Sequence, residues 1–78
     1  MSSDAYKVLV VGMGKRGAHH AAAFQANPRF RVAGISDVDP TRLEAAAPKL
    51  GNPVSGTDLA AVVREVQPDV FCFTTPPT

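Results

Sequence analysis

The 78 residues are enough for one domain at most, and that domain has a thin core. At 45% hydrophobic and 19% charged, the chain is too apolar for intrinsic disorder. Eight basic against seven acidic side chains, a formal net charge of +1, are too evenly mixed for a nucleic-acid surface.

No apolar run approaches the roughly 20 residues of a membrane span. The opening Met1-Ser2-Ser3-Asp4 has no basic stretch ahead of an apolar one, so no secretory signal is expected. The single cysteine, Cys72, cannot form an internal disulfide or a paired-thiol zinc site. It suits a reducing compartment, and a cytoplasmic location without a metal centre is the expectation.

In chain order, strand and helix patterns alternate. Tyr6–Gly12 contains Val8-Leu9-Val10-Val11, a continuous run of the kind buried on both faces of a parallel sheet. A tight glycine turn, Gly12–Gly17, leads into a helix predicted from Lys15 to Ala26, with Gly17, Ala21 and Phe24 facing the sheet. Asn27-Pro28 stops it, and Phe30–Ser36 reads as a second strand. Asp39 then caps a helix with Pro40 at its first position. Leu43, Ala46, Ala47 and Leu50 recur at helical spacing, and Pro48 should end or kink that helix near Ala47. Pro53–Ser55 is a short third strand. Thr57 is placed to cap a third helix carrying Leu59, Val62, Val63 and Val66, which Gln67-Pro68 ends. Asp69–Thr74 is a fourth, apolar strand. The β-α-β-α-β-α-β order with right-handed crossovers predicts an α/β, Rossmann-type parallel sheet in the order 3-2-1-4. Two helices should lie on one face and one on the other. The fourth strand forms an edge, with Val70 and Cys72 on one side and Phe71 and Phe73 on the other.

The chemistry sits in Gly12-Met13-Gly14-Lys15-Arg16-Gly17, a complete G-x-G-x-x-G between a strand and a helix. Asp37 stands 20 residues past Gly17 at the end of the second strand. Gly12 permits the sharp turn, Gly14 leaves room for a pyrophosphate, and Gly17 lets the helix pack closely on the sheet. The free N–H groups at the helix start would face the phosphates. Asp37 would accept hydrogen bonds from the adenosine ribose hydroxyls, and its carboxylate would repel a 2′-phosphate, which favours NAD over NADP.

Plainer readings stand beside these. The glycines could form only a strand-to-helix turn, and Asp37 could bond its own backbone. Lys15 and Arg16 read first as solvated surface and second as phosphate contacts. Arg42 could stack on the adenine or face solvent. His19 and His20, adjacent on a helix, point about 100° apart and do not converge on one ion; a helix-packing role is the default. Cys72 reads as an inert core thiol. The loop is not a P-loop, since Leu9 and Arg16 stand where that pattern needs Gly and Ser or Thr.

The stretch Val10-Val11-Gly12-Met13-Gly14-Lys15-Arg16-Gly17-Ala18-His19-His20-Ala21 resembles the opening of the glucose–fructose oxidoreductase/inositol dehydrogenase (Gfo/Idh/MocA) family. Members commonly carry a His three residues after the glycine motif, which falls on His20. Val32–Pro40 is similar to their second strand and its aspartate. Asp69–Pro77 is similar to their fourth strand with its Thr-Pro-Pro end, here Thr75-Pro76-Pro77. Arg16 departs from the pattern, where an apolar residue is more common.

The resemblance implies that residues 1–78 are the N-terminal part of a dinucleotide-binding domain. The whole enzyme would transfer a hydride between NAD and a hydroxyl-bearing carbon of a sugar, cyclitol or related polyol, and would be a homo-oligomer. Cofactor contacts would come from Gly12, Met13, Gly14, Lys15, Arg16, Gly17, Asp37, Arg42, Thr74, Thr75 and Pro76. The family's catalytic Lys, Asp and His and its substrate domain have no counterpart in these residues, so no catalytic residue is expected here. Two rivals keep the same turn: another Rossmann reductase of the dihydrodipicolinate or biliverdin reductase kind, and a non-catalytic dinucleotide-sensing module.

Overall fold

The computed structural model describes residues 5–74. The elements are β1 (Tyr6–Val11), α1 (Lys15–Ala26), β2 (Phe30–Ser36), α2 (Pro40–Ala46), a 3-10 turn (Ala47–Leu50), β3 (Val54–Gly56), α3 (Leu59–Val66) and β4 (Val70–Phe73). The strands form one sheet in the order β3-β2-β1-β4, and every pairing is parallel. This is the predicted α/β, Rossmann-type order. It follows from right-handed crossovers that send the chain outward from β1 to β3 and then back across to β4.

Two cores cover the sheet. Val8 and Val10 of β1 lie with Val32, Ile35 and Leu43 beneath α1 and α2, while Leu9 lies with Ala33, Val62 and Val66 beneath α3. β1 therefore needs an apolar residue at every central position, and Val8, Leu9 and Val10 are all fully buried. The β1–β2 register slips by one residue, so Val8 pairs with Val32 and Leu9 with Gly34. Ala33 is the extra residue of this bulge. Gly34 then meets α3 so closely that a Cβ there would lie 2.8 Å from Val66 Cγ2 and 3.0 Å from Leu9 Cδ1.

α1 packs through small residues, Gly17 and Ala21 being buried, and Phe24 closes the far end edge-on against Phe30 at 5.2 Å. The Gln25 amide ties three elements together. It accepts the Val32 N–H at 3.1 Å and donates to the Leu50 carbonyl at 3.1 Å. Asp39 caps α2 as predicted, accepting the Thr41 N–H at 2.9 Å.

As expected, Pro48 ends the α-helix near Ala47, and the chain then tightens into a 3-10 turn that brings Leu50 into the core. Three details differ from the sequence expectation. β3 is shifted by one residue, to Val54–Gly56. The cap of α3 is Asp58, whose carboxylate accepts the Ala61 N–H at 3.3 Å, not Thr57; Thr57 stands one residue too far from the first helical N–H groups. β4 ends at Phe73, although the Thr74 N–H still reaches the Val11 carbonyl at 2.9 Å. Among the described residues, no helix is long and apolar enough to cross a membrane.

Candidate functional site

In a parallel sheet all strands end on the same side, so the carboxyl ends of β1, β2, β3 and β4 share one edge with the start of α1. An open cleft of about 820 Å³ lies there. It is lined by Gly12, Gly14, Lys15, Arg16, Gly17, Asp37, Arg42 and Thr74, eight of the residues that the sequence singles out. Met13 does not line it. Its side chain is buried in the core beneath α1 and α2, and only its backbone takes part in the site. Thr75 and Pro76 lie outside the described residues.

Each glycine has a distinct reason. Gly12 sits at φ 96°, which L side chains rarely adopt. Gly17 has no room for a side chain: a Cβ would run into the Gly12 carbonyl and lie 2.8 Å from Thr74 Oγ1. Gly14 is the opposite case. Its φ of −71° suits any residue, and an added Cβ would meet only the Arg42 guanidinium, at 3.8 Å. The space beside Gly14 belongs to the cleft.

Gly14 is also the N-cap of α1. It has no side chain to cap the helix, and no acidic residue stands in the first turn. The first N–H groups of α1 thus open toward the cleft with the positive end of the helix dipole.

Asp37 is buried at the end of β2. Its Oδ2 accepts the Met13 N–H at 2.6 Å and its Oδ1 accepts the Asp39 N–H at 2.8 Å. Arg42, more than half exposed, holds a guanidinium nitrogen 3.7 Å from the same Oδ2 and another 3.8 Å from Asp39. Burial opposes the charge on Asp37, but the two N–H groups and the guanidinium outweigh it and hold the carboxyl below the usual carboxylate range. The turn reading of Asp37 is therefore realised through Asp39, alongside a long-range tie to the glycine turn.

Seven further residues line the cleft that were not among the expected cofactor contacts: Val11, Ser36, Val38, Thr57, Leu59, Phe73 and His20, the last marked in the sequence only as the His that follows the glycine motif. Val38 is 89% exposed, an unusual position for an aliphatic side chain beside a carboxylate. The strand-end rule was the one signal that could have placed Thr57 and Phe73. His19 and His20 are both exposed, so the helix-packing role expected of the pair does not hold; His20 turns toward the cleft. Cys72 is half-buried against the core beneath α1 and α2, and burial raises its thiol pKa.

A sheet of this order, with a glycine turn opening an uncapped helix and an ionised aspartate at the next strand end, defines a Rossmann-type nucleotide-binding domain. Residues 6–78 match the oxidoreductase family with an NAD-binding Rossmann fold, Gfo/Idh/MocA, and the chain belongs to that family. No curated protein matches it.

Among solved structures, GenD2 from gentamicin A biosynthesis, in complex with NAD, is 25% identical at a TM-score of 0.88, covering 96% of this chain and 21% of that one. An NAD-binding oxidoreductase from Klebsiella pneumoniae is 29% identical at a TM-score of 0.73, covering 95% and 22%. The scyllo-inositol dehydrogenase from Lactobacillus casei, with bound NAD(H) and scyllo-inositol, is 23% identical at a TM-score of 0.82, covering 92% and 22%. The chain thus spans about a fifth of the length of these proteins.

Proposed function

We propose that this chain binds NAD at the carboxyl edge of its sheet, as the cofactor-binding part of a dehydrogenase that acts on a hydroxyl-bearing carbon of a sugar, cyclitol or related polyol. The observation that carries the reading is the open space beside Gly14, where a Cβ would intrude on the cleft in front of the uncapped start of α1. An anionic pyrophosphate fits that position by charge, by N–H supply and by the absence of a side chain.

Asp37 has two carboxylate oxygens with about four acceptor positions. Met13 and Asp39 use two of them, which leaves others for ribose hydroxyls. Because Asp37 is held ionised, a 2′-phosphate would face a negative charge, and NAD is preferred over NADP. Lys15 and Arg16, exposed at the rim, add positive charge near the phosphates, and Val38 and Leu59 offer apolar contact to a ring. When bound, the nicotinamide supplies the hydride chemistry. The polyol substrate class is supported by the scyllo-inositol bound in one structural relative. In this reading the catalytic acid–base groups and the substrate domain belong to the rest of the enzyme, outside residues 1–78.

Calorimetric titration with NAD and NADP tests the proposal. Saturable binding with a lower Kd for NAD is expected. Failure to bind either dinucleotide would remove the cofactor assignment, and equal affinities would remove the role of Asp37 at the ribose.

A further inference from the structure

Gly12 and Met13 share one peptide plane, and two side chains grip its opposite ends. The carbonyl end, at Gly12, accepts Thr74 Oγ1 at 2.7 Å. The N–H end, at Met13, donates to Asp37 Oδ2 at 2.6 Å. Thr74 follows β4 and Asp37 follows β2, so the grip comes from both strands that flank β1. Thr74 is itself fixed, since its own N–H donates to the Val11 carbonyl at 2.9 Å, and that same carbonyl lies 3.1 Å from its hydroxyl. A hydroxyl has a single proton to give, and the shorter contact marks Gly12 as its acceptor.

From this geometry we infer that Thr74 is a positioning residue for the phosphate-binding turn, acting through the Gly12 carbonyl and not by touching the cofactor. The inference rests on the dinucleotide reading above. The need for such a residue follows from Gly12 itself. A glycine at positive φ leaves the next peptide plane the freedom to rotate. If it rotated, the Met13 N–H and the start of α1 would lose their present direction, and the cofactor would bind only the fraction of molecules with the turn in place. The Thr74 hydroxyl removes that freedom before any ligand arrives. It also explains the tight fit of Gly17, since the Gly12 carbonyl, the Thr74 hydroxyl and the first turn of α1 crowd one spot.

Thr74→Val keeps the shape of the side chain and removes the donor; Thr74→Ser keeps the donor. The test compares NAD, which needs the turn, with adenosine, which has no phosphate, the latter measured by competition against NAD. Thr74→Val should raise the Kd for NAD about tenfold while adenosine changes less than about twofold, and Thr74→Ser should restore NAD binding. Unchanged NAD affinity in Thr74→Val, an equal loss for adenosine, or a Ser variant as weak as Val would overturn the inference.

Amide exchange in the unmodified protein gives a second readout that does not depend on the variant folding. The Met13 N–H should be protected without NAD. Free exchange that slows only on adding NAD would overturn the inference, because a plane gripped at both ends holds the Met13 N–H on Asp37 before any ligand arrives. A wild-type protein that binds no dinucleotide would defeat the functional reading and this inference together, whereas wild-type binding with an indifferent Thr74→Val defeats this inference alone.

Discussion

Arg42 extends over Asp37 with a guanidinium nitrogen 3.7 Å from a carboxylate that is itself all but buried. The pair sets the charge at the position assigned to the adenosine ribose, and Asp37 currently dominates because two N–H groups hold it ionised. Replacing Asp37 with Ser removes the repulsion toward a 2′-phosphate and frees Arg42 to attract one. Both affinities should fall through the loss of the Met13 tie, so the ratio is the informative quantity. The NAD-to-NADP preference should shift toward NADP by about tenfold or more, the scale of a charge-assisted hydrogen bond. A ratio that does not move on titration with both dinucleotides would mean the ribose is read elsewhere.

Asp37 also links stability to pH. Its pKa is lower in the folded chain than in the unfolded one, so the folded state gains stability wherever the group is ionised in both. That gain is present above about 3.9, the unfolded value, and is lost as pH falls through the folded value. Asp37→Asn should be less stable than wild type by about 1–2 kcal/mol at neutral pH. The difference should shrink as the pH is taken below about 3.9. Thermal melts of the two proteins across that range check it; a gap that stays constant down to acid pH would mean the carboxylate charge is not what stabilises the turn.

Gly14 and Gly17 should respond in opposite ways to added bulk. Gly14→Val meets only a flexible guanidinium, so the fold should lose about 1 kcal/mol, from the poorer helix start alone. NAD binding should nevertheless be abolished, because the branched side chain fills the space in front of α1. Gly17→Ala drives a methyl group into the Gly12 carbonyl and should cost about 2–3 kcal/mol of stability. Melting curves together with NAD titrations separate the two effects. A folded Gly14→Val that still binds NAD would show that the phosphates lie elsewhere.

The strand and helix order was readable because each signal is local. Val8–Val11 is a buried-strand run, Asp39-Pro40 is a helix start, and Leu59, Val62, Val63 and Val66 recur at helical spacing. Right-handed crossovers then make the sheet parallel with helices on both faces, and the doubly wound precedent supplies the order 3-2-1-4. What could not be read depends on contacts between distant residues or on one-residue choices. Thr57 and Asp58 are adjacent good caps, and only the helix phase chooses Asp58. The bulge at Ala33 was not anticipated, although the adjacent Gly34 is the kind of strand glycine that often marks one, and Gly34 lies close beneath α3. Asp37 offered either a ribose contact or a local turn, and the structure shows the turn bond to Asp39 together with a bond to Met13. The Thr74 hydroxyl meets the Gly12 carbonyl across 62 residues of chain, a contact without a sequence pattern.

The far side of β4 leads to the last expectation. Phe71 and Phe73 stack ring on ring at 5.8 Å and an interplanar angle of 9°, yet are 45% and 63% exposed. Their neighbours on the same strand, Val70 and Cys72, pack against the opposite core, as the alternation of a strand requires. α3 packs chiefly on β1, β2 and β3, and the two rings remain exposed. Among the described residues β4 pairs only with β1, so its outer N–H and C=O groups form an open edge directly beside this apolar patch. An unpaired edge next to exposed aromatic surface is a template for association with another strand. The 78-residue polypeptide on its own should therefore self-associate. Phe71→Thr combined with Phe73→Thr keeps strand propensity while removing the rings. It should shift sedimentation toward monomer with little change in Tm, because neither ring belongs to the two cores. A wild-type polypeptide that sediments as a monomer at high concentration, or a double variant that associates as strongly, would show that this edge is not what drives assembly.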